Sequence, residues 1–154
     1  MHAVRLLILA TGVLMAGDGP AKDDASKGDL DKLSGTWLTV SLVNDGKTLV
    51  DDKAPPKDGP TTKLVYDGNK WKIKVGDKTV ASGEFKINVT KMPREIDIMD
   101  ESGVPNNKTK LGIYELDGDT YKYCLAPAGK PRPTEFTSKA ASGHSLGVSK
   151  REKP

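Results

Sequence analysis

Cysteine and histidine are both scarce in this chain. Cys124 is the only cysteine among 154 residues, so neither an intramolecular disulfide nor a metal site of several cysteines can form. His2 lies in the N-terminal leader, and His144 is the only other histidine, which excludes a zinc site built from several histidines. We therefore expect no metal and no cofactor.

The chain also lacks a marked excess of charge of one sign. It carries 24 lysines and arginines against 21 aspartates and glutamates, a net charge of +3, and both signs are scattered along the sequence. Nucleic-acid binding needs basic side chains concentrated on one surface. We therefore expect no nucleic-acid partner.

Long apolar runs are absent except near the N-terminus. There Arg5 precedes the apolar stretch from Leu6 to Ala16, and small residues follow it. This order is typical of a signal peptide, and the stretch is too short to cross a bilayer as a helix. We predict a signal peptide over residues 1–17, export to the periplasm or the medium, and no integral membrane span in the mature chain.

The segment after the predicted signal peptide is polar. Residues 18–28 show no hydrophobic periodicity and are predicted to form a disordered linker. Leu30 and Leu33 then lie on one face of a single helical turn over residues 29–33, for which Asp29 is a suitable N-cap. We assign one domain to residues 29–152.

Alternating apolar and polar residues, separated by turn signals, predict that this domain is all-β. About eight main strands are expected, over residues 36–43, 62–66, 70–75, 78–89, 95–100, 109–116, 120–126 and 145–151, with a short one over 47–50. Neighbouring strands are joined by short turns such as Asp117-Gly118. We expect an antiparallel up-and-down β-barrel because closure removes exposed strand edges, and a two-sheet sandwich is the alternative.

Strand alternation also predicts which side chains face the barrel interior. Tyr121 and Tyr123 face inward, which places Cys124 outward beside Lys122. That position conflicts with the usual burial of a free cysteine, unless a bulge intervenes or the outer face is covered. In the last strand, Leu146 and Val148 are predicted to face inward.

The inward aromatic residues can either pack as a core or line a ligand cavity, and an eight-stranded barrel is just wide enough for both. Loops over residues 51–60 and 127–143 are expected to fringe the mouth. The candidate ligand-binding residues are Trp71, Tyr121, Tyr123, Arg132 and Glu135.

One stretch matches the residue pattern of a catalytic motif but lacks the context that the motif requires. Residues 143–147 match the G-x-S-x-G motif of α/β-hydrolases, but no histidine follows Ser145 and no alternating βα units surround it. We interpret the stretch as a turn entering the last strand. We identify no catalytic residue, and the chain is more consistent with a protein that is not an enzyme.

Two sets of residues carry a resemblance to a known family. Gly35-Thr36-Trp37 at the head of the first strand is similar to the G-x-W signature of lipocalins. The stretches 111–120, 123–127, 132–136, 142–143 and 150–152 closely resemble a lipocalin-like (calycin-type) domain family of uncharacterised Planctomycetes proteins. The resemblance covers residues 29–152 and implies a bacterial, exported, calycin-type barrel, with no established activity.

The resemblance also implies a structural role at one end of the barrel. In lipocalins a basic side chain of the last strand packs across the G-x-W tryptophan. Gly35 and Trp37 would form this plug, covered by Lys150 according to strand alternation or by Arg151 according to stacking chemistry.

Together these observations predict an exported, monomeric barrel that binds a small apolar or amphipathic ligand. The alternative is a structural or protein-interaction domain whose barrel is filled by side chains, and a further alternative is an enzyme acting in the barrel cavity. The volume of the interior distinguishes a hollow barrel from a filled one.

Overall fold

The computed structural model describes residues 20–53, 59–101 and 109–154. The predicted signal peptide and the first two residues of the predicted linker lie outside the described residues. Among the described residues, no helix combines the length and the apolar character needed to cross a membrane.

The described chain consists of one helix followed by nine strands. These are α1 (Pro20–Leu33), β1 (Gly35–Asn44), β2 (Lys47–Val50), β3 (Thr62–Asp67), β4 (Lys70–Val75), β5 (Lys78–Asn88), β6 (Arg94–Asp100), β7 (Lys110–Asp117), β8 (Thr120–Leu125) and β9 (Ser145–Arg151).

The strands form a closed antiparallel barrel, which confirms the predicted fold class. From β3 to β9 each strand pairs with the next one in the chain, and β1 pairs with β3 on one side and with β9 on the other. The barrel therefore has eight strands, β1 and β3 to β9, and β2 is a short extra strand beside β1. The sandwich alternative is wrong, because the pairing of β1 with β9 joins the two ends of the sheet.

The two ends of the barrel differ. Helix α1, the start of β1, the end of β9 and the turns after β3, β5 and β7 lie at one end, which we call the closed end. The last residues of β4, β6 and β8 lie at the other, which we call the open end. Gly68 and Gly118 allow tight turns at the closed end, with φ angles of 59° and 55°.

Helix α1 is longer than the single turn predicted over residues 29–33. It begins at Pro20 and includes most of the segment predicted to be a linker. Leu33 is buried, and Leu30 packs against the core at the closed end. Forming the first hydrogen-bonded turn is the unfavourable step of helix formation, and the packing of the last turn of α1 on the barrel compensates for it. A proline such as Pro20 is suited to the first position of a helix. Asp29 is consequently inside the helix and is not its N-cap.

The prediction for the last strand is wrong by one residue. Gly147 and Ser149 pair with Tyr123 and Tyr121 of β8, and directly opposed residues of an antiparallel pair face the same side. Because both tyrosines are buried in the core, Gly147 and Ser149 face inward, and Leu146 and Val148 face outward.

Aromatic rings occupy much of the barrel interior. Tyr121 is 1% exposed, and its ring centroid lies 5.6 Å from those of Trp37 and Tyr66 and 5.4 Å from that of Tyr123. Phe85 packs edge-on against Tyr66 at 5.0 Å. Tilted and edge-on ring pairs at these separations are favourable. The interior near the closed end is therefore a packed core.

Candidate functional site

The cavity inside the barrel lies toward the open end. Its volume is about 80 Å³, and its walls include Leu64, Ile73, Ile98 and Leu125 together with aromatic rings. Of the predicted binding residues, Trp71, Tyr121 and Tyr123 line it. The structure thus brings three of the five predicted side chains together around one space.

Trp71 presents its ring to the cavity, but its polar group is already engaged. The indole Nε1 donates hydrogen bonds to the backbone carbonyl oxygens of Glu84, at 3.1 Å, and Met99, at 3.0 Å. The ring passes over Gly83, where a Cβ atom would overlap the Met99 carbonyl oxygen. Trp71 can therefore offer a ligand an apolar surface at a fixed position, without a free donor.

The Tyr123 ring occupies space that Gly147 leaves open on the neighbouring strand β9. A Cβ atom at Gly147 would overlap the Tyr123 ring and hydroxyl, so only glycine leaves room for this tyrosine. Burial raises the pKa of the Tyr123 hydroxyl to about 12. The hydroxyl is therefore protonated at neutral pH and can act as a hydrogen-bond donor.

The two deeper tyrosines bond to each other. The hydroxyl oxygens of Tyr66 and Tyr121 are 3.1 Å apart. Burial raises the pKa of both phenols well above the usual value, although the bond to Tyr121 by itself lowers that of Tyr66. One of these hydroxyls donates to the other, and the pair forms the polar floor of the cavity.

Positive charge borders this cavity. Lys110 pairs with the inward-facing Ile98 and is exposed at the start of β7, so it stands on the rim at the open end. Lys72 lies between the inward Trp71 and Ile73 on β4, so its ammonium group faces outward, and no carboxylate lines the cavity among the described residues. An apolar interior with one cationic residue on its rim suits an anionic or amphipathic ligand.

The closed end is sealed by Trp37, which is fully buried. Its Nε1 donates a hydrogen bond of 2.7 Å to the Leu33 carbonyl oxygen. The Arg151 guanidinium carbon lies 4.2 Å from the centre of the Trp37 ring, and Arg151 also donates to the carbonyl oxygens of Lys32 and Ser34. Arg151 thus stacks on the ring and binds the last turn of α1.

Of the two predicted covers of Trp37, only Arg151 contacts it in this way. Arg151 pairs with Trp37 across β1 and β9, which places both on the inner face. Lys150 is exposed and donates a hydrogen bond to the Thr120 hydroxyl. Gly35 has a φ of 125°, and a Cβ atom there would crowd the Arg151 guanidinium.

An additional anchor holds α1 to the barrel. The Asp29 carboxylate is buried, accepts a 2.8 Å hydrogen bond from the Tyr114 hydroxyl and lies 3.2 Å from an Arg94 guanidinium nitrogen. Burial, reinforced by the Asp29 carboxylate, raises the pKa of Tyr114 far above its usual value. This contact joins the helix to β6 and β7 at the closed end.

Arg132 and Glu135 lie outside the barrel, away from the cavity. Residues 127–143, which we call the outer segment, fold back along the outer wall. Arg132 is 2.7 Å from an Asp97 oxygen and 3.4 Å from a Glu95 oxygen, and it donates to the backbone carbonyls of Ile96 and Gly112. Arg132 therefore fastens the outer segment to β6 and β7.

The outer segment explains how Cys124 faces outward and is nevertheless buried. The residue faces outward as predicted, opposite Ile113 of β7, and yet it is fully buried because the outer segment covers it. Its Sγ lies 3.3 Å from the Thr137 carbonyl oxygen, and Phe136 of the same segment accepts the Lys122 ammonium at 4.8 Å from its ring centre. Burial raises the pKa of the Cys124 thiol.

Replacing Arg132 with alanine is expected to increase the rate at which Cys124 is alkylated in the native protein by about tenfold or more. A charge-assisted hydrogen bond contributes about 1.5–3 kcal/mol, and each 1.4 kcal/mol changes an opening equilibrium about tenfold. Labelling followed by intact mass spectrometry measures the rate. Lys130→Ala, at an exposed position in the same segment, is the control. Equal rates in the two variants would show that Arg132 does not hold the segment closed.

Sequence reasoning missed three residues that matter here. Tyr66 and Tyr114 alternate with other inward residues of β3 and β7, so strand parity could have identified both. Parity gives the inward side of Lys110 as well, but its place on the rim beside the cavity follows only from the register with Ile98.

Comparison with known proteins finds no match: no family model, no curated protein and no solved structure is significantly similar to this chain.

Proposed function

We propose that this chain is an exported lipocalin-like barrel that binds the apolar end of a small amphipathic anion at its open end. The observation that carries the proposal is the aromatic cavity with Lys110 on its rim. Export rests on the leader-like sequence of residues 1–17, and the intact mass of protein recovered outside the cytoplasm tests it.

The cavity volume limits what enters. A dry apolar cavity of about 150 Å³ is enough for benzene, and typical pockets for drug-sized ligands have about 300–1,000 Å³. With about 80 Å³, this cavity holds a short alkyl chain or the edge of a ring. The ligand therefore inserts one end, and its polar group stays near the rim.

The charges near the cavity favour an anionic polar group. Lys110 stands on the rim of the site, and the buried Tyr123 hydroxyl is a protonated donor at neutral pH. Burying each methylene group contributes about 0.8 kcal/mol, so three or four of them with one exposed ion pair correspond to a Kd of about 1–10 mM.

Hexanoate is a suitable probe. In methyl NMR spectra of the full chain, we expect saturable shifts at Ile73, Ile98 and Leu125, while Leu49, which is 60% exposed on β2, does not respond. Ile73→Trp fills the cavity and is expected to abolish the shifts. Leu49→Trp adds the same ring outside the barrel and should leave them unchanged.

A second pair of variants tests the role of the Lys110 charge on the rim. Lys110→Met is expected to weaken hexanoate binding several-fold and to leave hexanol binding unchanged, whereas Lys86→Met, at an exposed position on β5, changes neither. If the cavity methyl groups do not respond to hexanoate at about 50 mM, several times the upper expected Kd of about 10 mM, the ligand proposal is wrong.

The packed aromatic interior favours one alternative, a structural or protein-interaction domain with a filled barrel. Tyr121 contacts Trp37, Tyr66, Tyr114 and Tyr123, and these rings occupy much of the space that a hollow calyx would leave open. This alternative predicts that neither hexanoate nor hexanol shifts the cavity methyl groups, so the same titration separates the two functions.

A further inference from the structure

The hydroxyl groups of the four tyrosines differ in whether they have a hydrogen-bond partner. Those of Tyr66 and Tyr121 bond to each other, and that of Tyr114 donates to the Asp29 carboxylate. Tyr123 is more than nine-tenths buried, and its hydroxyl has no partner among the described residues. Buried polar groups nearly always have a partner, because leaving one unpaired is costly. The Tyr123 hydroxyl is therefore a donor that the protein itself does not use.

Packing fixes the position of this hydroxyl beside the cavity. The Tyr123 ring lies 5.4 Å from the Tyr121 ring, with the two planes at 33°, and it covers Gly147 on β9. Its oxygen retains accessible surface, in contrast to the unpartnered hydroxyl oxygens of Thr39 and Ser149, which are fully enclosed. Because Tyr123 lines the barrel cavity, this surface faces a molecule that is bound there.

Tyr123 lies deeper in the barrel than the charge on the rim. It pairs with Tyr114, which is four residues further along β7 than Lys110. With about 3.4 Å per residue, the backbone positions of Lys110 and Tyr123 are about 14 Å apart along the strands. A carboxylate held near Lys110 therefore leaves the Tyr123 hydroxyl to a second polar group, at the inserted end of the same ligand.

The surroundings of the Tyr123 hydroxyl define this second group. Burial raises the pKa of the hydroxyl to about 12, so at neutral pH it is protonated and donates a hydrogen bond. Apart from Lys110 on the rim, the described side chains present aromatic or aliphatic surface to the cavity. An ion among them would lose its hydration at a large cost, whereas a ketone oxygen is uncharged and needs only a donor.

We infer that the ligand carries a neutral carbonyl group at its inserted end, and that Tyr123 donates a hydrogen bond to this carbonyl oxygen. The inference rests on the proposed function and narrows the ligand to a short oxo acid, with the ketone inside the barrel and the carboxylate at the rim. Tyr123 then distinguishes an oxo acid from a fatty acid of equal length, because the fatty acid leaves the buried donor unpaired.

Matched pairs of ligands test this specificity. Hexanoate, heptanoate and octanoate are each compared with the oxo acid in which the carbon next to the terminal methyl group carries the ketone. Methyl NMR titrations of the full chain, followed at Ile98 and Leu125, give the dissociation constants. At least one oxo acid is expected to bind about three- to tenfold more tightly than its alkanoate, equivalent to about 0.7–1.4 kcal/mol for a neutral hydrogen bond.

Two tyrosine variants show which hydroxyl carries the preference. Tyr123→Phe keeps the ring and removes the donor, so the preference for the oxo acid is expected to disappear. Tyr114→Phe makes the same change at a tyrosine that does not line the cavity, and it should leave the preference as it is. In infrared spectra, the stretching frequency of the bound ketone should be lower in the parent chain than in Tyr123→Phe, because a hydrogen bond weakens the carbonyl bond.

The failure of this inference is distinguishable from the failure of the proposed function. Alkanoates that bind while no oxo acid binds more tightly would overturn the inference and leave the proposed function in place. A ketone preference or a low stretching frequency that persists in Tyr123→Phe would also overturn it. If neither series of ligands shifts the cavity methyl groups, the proposed function is wrong as well.

Discussion

Replacing Trp37 with alanine is expected to lower the free energy of unfolding by about 3–5 kcal/mol, the usual range for removing a core tryptophan. Trp37 is fully buried, bonds to the Leu33 carbonyl oxygen and lies beneath Arg151. Its loss therefore leaves a cavity and also removes the contact that joins α1, β1 and β9. Urea unfolding followed by far-ultraviolet circular dichroism measures the change without relying on tryptophan fluorescence.

The controls for this substitution use exposed residues. Leu49→Ala should change the stability by no more than about 0.5 kcal/mol, because Leu49 is 60% exposed. Lys150→Ala is expected to behave in the same way, whereas Arg151→Ala should destabilise the protein clearly. If Trp37→Ala unfolds at the same urea concentration as the parent chain, the tryptophan does not seal the barrel.

The protein is expected to lose about 5 kcal/mol of stability between pH 9 and pH 11, because all four of its tyrosines have raised pKa values. Unfolded tyrosines ionise near pH 10, whereas the buried tyrosines keep their protons. Above pH 10 the folded state therefore binds more protons than the unfolded state, so stability decreases as pH rises. Each tyrosine contributes about 1.4 kcal/mol over these two pH units.

Such a loss is large relative to a total stability of about 5–15 kcal/mol, so ionisation of the tyrosines should be accompanied by unfolding at alkaline pH. Urea midpoints at a series of pH values, together with the ultraviolet absorbance of tyrosinate, measure it. Tyr123→Phe should reduce the pH dependence by about a quarter, after allowance for its own effect on stability. Tyrosinate absorbance that rises near pH 10 while circular dichroism stays native would contradict the prediction.

The position of Cys124 illustrates how far strand alternation can be taken. Parity placed the residue outward, and the structure has it outward and buried, because the outer segment covers that side of the barrel. Leu146 and Val148 show the opposite case, in which the prediction of the inner face is wrong. Hydrophobicity favoured an inward position for both, but Tyr121 and Tyr123 fill the interior opposite β9, so small residues must stand there. Where both faces of a strand are covered, apolar character does not identify the inner one.

Arg132 and Glu135 show a different reason for failure. Their segment follows the last hairpin, and nothing in its composition indicates whether it stands over the open end or folds along the wall. That choice depends on Glu95 and Asp97 of β6, which are far away in sequence and receive Arg132 only after β6 and β7 have paired. Contacts of this kind follow from register and cannot be derived from local patterns.

The amino-acid sequence by itself determined the all-β class, the antiparallel order, the turns and the inward direction of Trp37, Trp71, Tyr121 and Tyr123, because period-two alternation and turn chemistry act between neighbouring residues. Only the tertiary structure decided which basic residue covers Trp37, how much of the interior remains open, and where β1 changes partners. These features depend on the register between distant strands and on the volumes of the side chains that meet there, which become defined when the barrel closes.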